Sequence, residues 1–121
     1  MATTSPIGFG IIGTGMISAY HALAIHALPG AKLVGWCGRT ASKVEALADK
    51  HGAAFRTTSV EALVARSDIQ VVCITTPSGA HLEPALAAIT AGKHVVVEKP
   101  LEVTVARTDA LLQAAAKAGV V

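Results

Sequence analysis

Aromatic residues are scarce: one Trp, one Tyr and two Phe make up 3% of the 121 residues. That leaves too little π surface for a base-stacking platform. Charge is scarce as well, at 15% of residues, and its balance is nearly even, with 10 basic and 8 acidic side chains and a formal charge of +2. An excess so small, spread along the chain, gives no electrostatic footprint for nucleic acid. Cysteine occurs twice, as Cys37 and Cys73, each inside an apolar run and neither in a CxxC. They are expected to be reduced core thiols, with no disulfide framework, and a cytoplasmic setting follows as the default. No uncharged apolar run approaches the roughly 18 residues that cross a bilayer. Met1–Pro6 has neither a basic nor an apolar segment, so no secretory signal is expected there. What is abundant is Ala, Val, Leu and Ile. At 52% hydrophobic, the chain is no candidate for disorder. Its length suits one domain, residues 1–121.

The apolar residues fall into alternating strands and helices. Ile7–Ile12 is a short apolar run ending in glycines, and a buried strand is expected. A helix over Met16–Leu28 stops at Pro29-Gly30. Lys32–Cys37 reads as a second strand, Ala41–Lys50 as a helix stopped by Gly52, and Ala53–Arg56 as a short third strand. Thr58-Ser59-Val60-Glu61 has the form of a capping box and opens a helix to about Arg66. Ile69–Thr75 reads as a central strand, His81–Ala91 as a helix ended by Gly92, Val95–Val97 as a further strand and Leu111–Ala118 as a last helix. Gly119-Val120-Val121 looks like the opening of one more strand. Strands without polar alternation are covered on both faces. With intervening helices they form an α/β, doubly wound parallel sheet with right-handed crossovers.

Gly13-Thr14-Gly15-Met16-Ile17-Ser18 follows the first strand and opens the first helix, a GxGxxG with Ser in the third place. The first glycine permits the tight turn and the second lets backbone approach a pyrophosphate; the third position needs only a small residue where helix meets strand. The helix-start N–H groups then bind the anion. In this context the motif predicts a dinucleotide site formed by Gly13, Thr14, Gly15, Met16 and Ile17, against the alternative of a merely structural turn. The end of the second strand, where an acid holds the adenosine ribose in NAD enzymes, reads Cys37-Gly38-Arg39-Thr40. It lacks a carboxylate, and a guanidinium pairs with a 2′-phosphate. NADP is therefore the expected cofactor, with NAD the alternative if Arg39 only stacks on adenine. Ser42 and Lys43 are further donors nearby.

Glu98-Lys99-Pro100 follows the strand Val95–Val97. A lysine at the carboxyl end of a parallel strand faces the ligand crevice, and its ammonium is tunable by burial. By physics alone, a surface ion pair before a proline is an equal reading. Histidines are less informative. His21 and His26 stand five apart, off the helical spacing that puts two ligands on one face. His81 with Glu83 lacks a third zinc ligand at a usual spacing, so no metal is expected. Ser18, Ser78 and His81 lack a Gly-x-Ser-x-Gly elbow, which argues against a hydrolase. His94 reads as structural and Trp36 as a core or adenine-side packer.

Three motifs occur in order: Gly10-Ile11-Ile12-Gly13-Thr14-Gly15, then Thr76-Pro77-Ser78-x-x-His81, then Ala91-Gly92-Lys93-His94-Val95 running into Glu98-Lys99-Pro100-Leu101. Together they resemble the glucose–fructose oxidoreductase/inositol dehydrogenase/rhizopine catabolism (Gfo/Idh/MocA) family over almost the whole chain. The resemblance implies a Rossmann NAD(P)-binding domain and hydride transfer between nicotinamide and a secondary alcohol or carbonyl, commonly of a sugar or polyol. It implies catalysis by Lys99 with Glu98 and Pro100 shaping the site, and a cofactor wall of Thr75, Thr76, Pro77, Ser78 and His81 beside Gly38, Arg39 and Thr40. Ser78 stands where the family often has Asn, and Gly38 where many members have Asp. The family's second domain, which supplies the substrate pocket and the dimer surface, has no counterpart in this sequence. A homo-oligomer is implied for the enzyme. A stand-alone binding module, and a member that uses NAD without net redox, stay open as alternatives.

Overall fold

The fold is described from a computed structural model covering residues 5–121. The signal-peptide expectation falls partly on residues 1–4, outside the described residues. Five strands form one parallel sheet: β1 (Ile7–Ile12), β2 (Ala31–Cys37), β3 (Phe55–Thr57), β4 (Val71–Ile74) and β5 (His94–Val97), in the order β3-β2-β1-β4-β5. The helices are α1 (Met16–Ala27), α2 (Ala41–His51), α3 (Val60–Val64), α4 (Leu82–Thr90) and α5 (Val105–Ala118). This is the doubly wound arrangement expected, with the order reversing at β1 so that a crevice opens between β1 and β4 at their carboxyl ends. No helix among the described residues is long and apolar enough to cross a membrane.

Successive side chains of a strand point to opposite faces, and each face has its own core. Ile11 and Cys73 pack with Ala22 and Ile25 of α1 and Val44 and Ala48 of α2. Ile12, Val72 and Ile74 pack with Leu63 of α3, Ala85, Ala88 and Ile89 of α4 and Leu111 of α5. In β2 the alternation slips. Phe9 pairs with Leu33 but Gly10 pairs with Gly35, so Val34 is the extra residue of a bulge. Leu33 and Trp36 consequently share one core and Val34 and Cys37 the other. A bulge re-aims the side chains that follow it, here turning Trp36 toward the glycine loop. Leu63 lies hard against the paired glycines: a Cβ at Gly10 would meet its Cδ2 at 3.2 Å and one at Gly35 its Cδ1 at 2.8 Å. The five-residue α3 therefore packs closely over the two glycines, and a side chain at either would have to displace Leu63.

Several boundaries differ from expectation. The third strand is shifted to Phe55–Thr57, because Gly52 closes α2 in the left-handed conformation and Ala53 is drawn into the core beneath α2. The cap of α3 is Ser59, whose hydroxyl accepts from the Ala62 amide at 3.1 Å. Thr58, expected as the cap, lies one residue outside, and the helix ends at Val64 rather than near Arg66. Ile69 and Thr75 flank β4 without belonging to it. The last helix starts six residues earlier than expected, at Val105, because Thr104 caps it by accepting from the Arg107 amide at 3.2 Å. Val120 and Val121 form no strand, but the Val121 carbonyl accepts from the Val95 amide at 2.9 Å on the outer edge of β5.

Candidate functional site

The glycine loop spans β1 to α1. Gly13 has φ +121°, and a Cβ there would lie 2.4 Å from Thr75 Oγ1, so only glycine makes this turn. Its amide donates to the Cys37 carbonyl at 2.8 Å, and its carbonyl accepts from Trp36 Nε1 at 2.8 Å. Gly15 is the N-cap of α1 and supplies no side-chain cap; the first turn carries no acid. A Cβ on Gly15 would meet nothing within 4 Å. The first-turn amides and the positive end of the helix dipole thus face open space, which suits an anion. Ser18, in the third motif position, is buried where helix meets sheet, and its hydroxyl donates to the Gly15 carbonyl at 2.6 Å.

A cavity of about 870 Å³ runs from this loop across the carboxyl ends of the strands. Of the residues singled out in the sequence, it brings together Gly13, Thr14, Gly15, Ile17, Gly38, Arg39, Thr40, Thr75, Thr76, Pro77, Ser78, His81, Glu98 and Lys99. Met16 does not join them: it is 80% exposed and lies outside the lining. On the outward-facing first turn of α1, its backbone and not its side chain is what the loop can offer. Thr58, Val60 and Glu61 at the start of α3 also line the cavity. The sequence marks them only as a capping box; they reach the cavity because β3 lies next to β2.

At one end of the cavity Arg39, Thr40 and Lys43 are exposed beside Gly38. The space a side chain on Gly38 would take is held by Thr14, whose Cγ2 lies 2.5 Å from the ideal Cβ position. At the other end Lys99 is exposed at the mouth, after a half-buried Glu98. His21 of α1 lies 3.5 Å from Glu98 Oε2, a pairing across the fold that its spacing in the sequence did not reveal. The peptide between Lys99 and Pro100 is cis.

The wall beyond Lys99 is tied down by buried polar groups. Glu102 accepts from the Leu82 amide at 2.9 Å and the Val103 amide at 2.7 Å, and pairs with Arg107 at 3.2 Å. Arg107, then these amides, hold its carboxyl well below the usual range, at about 2. Arg107 also binds Glu83 at 2.6 Å. His81 is 1% exposed, and its ring nitrogens face the carbonyls of Pro100 at 2.9 Å and Thr76 at 2.8 Å. Neither member of the His81–Glu83 pair weighed for zinc is therefore free for a metal.

The description "oxidoreductase family, NAD-binding Rossmann fold" matches residues 7–121. The chain belongs to the Gfo/Idh/MocA oxidoreductase family. It is 36% identical over 113 residues to 1,5-anhydro-D-fructose reductase of Ensifer adhaerens, covering 93% of this chain and 34% of that protein. The structure of GenD2 from gentamicin A biosynthesis, in complex with NAD, superposes with TM-score 0.92 at 30% identity, over 100% of this chain and 34% of that one. Biliverdin reductase from Synechocystis sp. PCC 6803, in complex with biliverdin and NADP+, gives TM-score 0.88 at 33% identity, over 97% and 37%. The chain thus spans about a third of the length of the relatives it matches. Within that span it is the family's NAD(P)-binding Rossmann domain.

Proposed function

We propose that the cavity binds NADP(H), and NAD(H) less tightly, and that the protein transfers hydride between the nicotinamide and a secondary alcohol or carbonyl of a small sugar or polyol. The observation that carries this is that one continuous cavity is lined both by the glycine loop and by Lys99. The residues fit the cofactor: Gly15 leaves room for a pyrophosphate, and the start of α1 presents uncapped donors with no competing acid. When bound, the nicotinamide supplies or accepts the hydride. Arg39, with Lys43 and Thr40, offers charge-assisted donors to a 2′-phosphate, and Gly38 withholds the carboxylate that would repel it. The Lys99 ammonium, free at the mouth of the cavity, is suited to hold a proton on its Nζ against the oxygen of the reacting carbon. Glu98, steadied by His21, and Pro100 hold the backbone on either side of it.

The sugar or polyol class rests on the family and on the anhydrofructose reductase likeness. Self-association is part of the proposal, since Tyr20 and Leu23 on α1, Val96 on β5 and Val105 and Leu112 on α5 are exposed and apolar. A cytoplasmic setting suits the two thiols: burial, then the Glu61 carboxylate, pushes Cys37 up to about 11, and burial pushes Cys73 up to about 12, so both are inert and unpaired. The test is Lys99→Ala in the protein that carries this domain at its relatives' length. Hydride transfer should slow while dinucleotide affinity stays, because the pyrophosphate loop follows β1 and Lys99 follows β5, two strands along the sheet. An undiminished rate would remove Lys99 from the chemistry.

A further inference from the structure

His81 is the most buried of the polar side chains in the cavity wall, and both of its ring nitrogens face acceptors. Nδ1 lies 2.9 Å from the Pro100 carbonyl and 3.3 Å from that of Leu101; Nε2 lies 2.8 Å from the Thr76 carbonyl. Carbonyl oxygens only accept. A neutral imidazole has one N–H and one bare lone pair, whereas the imidazolium donates from both nitrogens. In the neutral ring one of these contacts would set lone pair against lone pair in a site with 1% exposure.

We propose that His81 acts as an imidazolium clasp, a positioning residue that donates to Pro100 and Thr76 at once and so joins the two loops walling the Lys99 end of the cavity. The proposal deepens the dinucleotide reading and rests on it. Thr76 opens the loop between β4 and α4, and Pro100 follows Lys99 directly, so the two halves of the wall are spaced by the width of one ring. Loss of either proton frees one carbonyl and lets its loop part from the other. The elements that carry or flank the clasp bring the charged and titratable groups Glu98, Lys99 and Glu102 on the loop after β5, Glu83 on α4, Arg107 on α5 and His21 on α1, which pairs with Glu98; residues 76–80 bring none. Glu102 accepts from the Leu82 amide, one residue from His81, and offers the cation a fixed negative neighbour. Arg107, the like charge, is drawn off by Glu83 and Glu102.

The test is ¹⁵N NMR of the ring nitrogens in the intact chain, with the His81 signals assigned by their loss in His81→Gln. Spectra run from about pH 5 to about pH 8, where histidine titrates, alongside NAD+ and NADP+ titrations. Both His81 nitrogens should carry protons at the acid end. Where one proton leaves, amides of residues 76–80 or 98–102 should shift with the same midpoint, and NAD+ affinity should fall about threefold to tenfold, the worth of one hydrogen bond. Retention of both protons throughout also supports the clasp. A single ring proton throughout, or a proton lost with the loops and the affinity unmoved, would overturn it. Failure of both NAD+ and NADP+ to bind at any pH would sink the dinucleotide reading and the clasp's role in it together, whereas a singly protonated ring in a chain that binds either nucleotide sinks the clasp alone.

Discussion

Trp36 Nε1 donates to the carbonyl of Gly13 at 2.8 Å, from a ring with no exposed surface. The second strand thereby fixes the carbonyl of the residue at the head of the glycine loop, and the bulge at Val34 is what turns the indole that way. Trp36→Phe removes the indole donor and part of its volume and leaves a buried acceptor without a partner, at a cost of about 1–3 kcal/mol or more. Chemical denaturation should show that loss. Dinucleotide affinity should fall with it, since the loop that frames the anion site loses its tether. A variant as stable as the parent would show that the bond does not hold the loop.

The two glycines of the loop should separate stability from binding. Gly13→Ala forces a side chain into a φ of +121° and to within 2.4 Å of Thr75 Oγ1, so it should unfold at lower denaturant, by about 1–3 kcal/mol or more. A Cβ at Gly15 meets nothing within 4 Å, so Gly15→Val has room at its first carbon. It should fold as the parent does yet lose dinucleotide binding, because its branches occupy the approach to the α1 amides. Circular dichroism melts paired with ligand titrations distinguish the two.

Arg39 stands for cofactor choice. Arg39→Ala should weaken NADPH by about 1.5–3 kcal/mol, the worth of a hydrogen bond to a charged group, and NADH by much less. Equal losses for both would mean that the guanidinium only stacks on adenine.

Glu102 makes the wall acid-sensitive. Its carboxyl is held down at about 2 by Arg107 and the amides of Val103 and Leu82. A depressed carboxyl contributes stability that is fully present above its unfolded value, 4.5, and is lost as pH falls through its folded value. Stability should therefore decline between these limits. In Glu102→Gln that part of the decline should vanish, with lower stability at neutral pH. An unchanged acid profile in the variant would remove Glu102 from the account.

Much of the candidate site was legible, the glycine loop from its place after the first strand, the Thr76–His81 segment and Lys99 through the family resemblance; each sits at a strand's carboxyl end, and a parallel sheet gathers those ends on one side. The features that escaped were those set by packing. Nothing in a single sequence marks the bulge at Val34 or the Leu63 side chain over Gly10 and Gly35. His21 beside Glu98 and Glu102 over the start of α4 are pairings across 77 and 20 positions, which no local pattern encodes. The Met16 side chain lies outside the cavity lining; a motif numbers positions, not the direction of a side chain. The early start of α5 was legible in principle: Thr104 precedes Val105 with the short hydroxyl of an N-cap.

Calorimetric titration of the folded chain with NADPH and with NADH shows whether it holds a nicotinamide dinucleotide with its pyrophosphate at Gly15. Each should bind saturably at one site, NADPH more tightly, and a concentration near 100 times Kd should stabilise the chain by about 2.7 kcal/mol. A folded chain that takes up neither nucleotide, or a Gly15→Val variant that binds both as the parent does, would contradict the account.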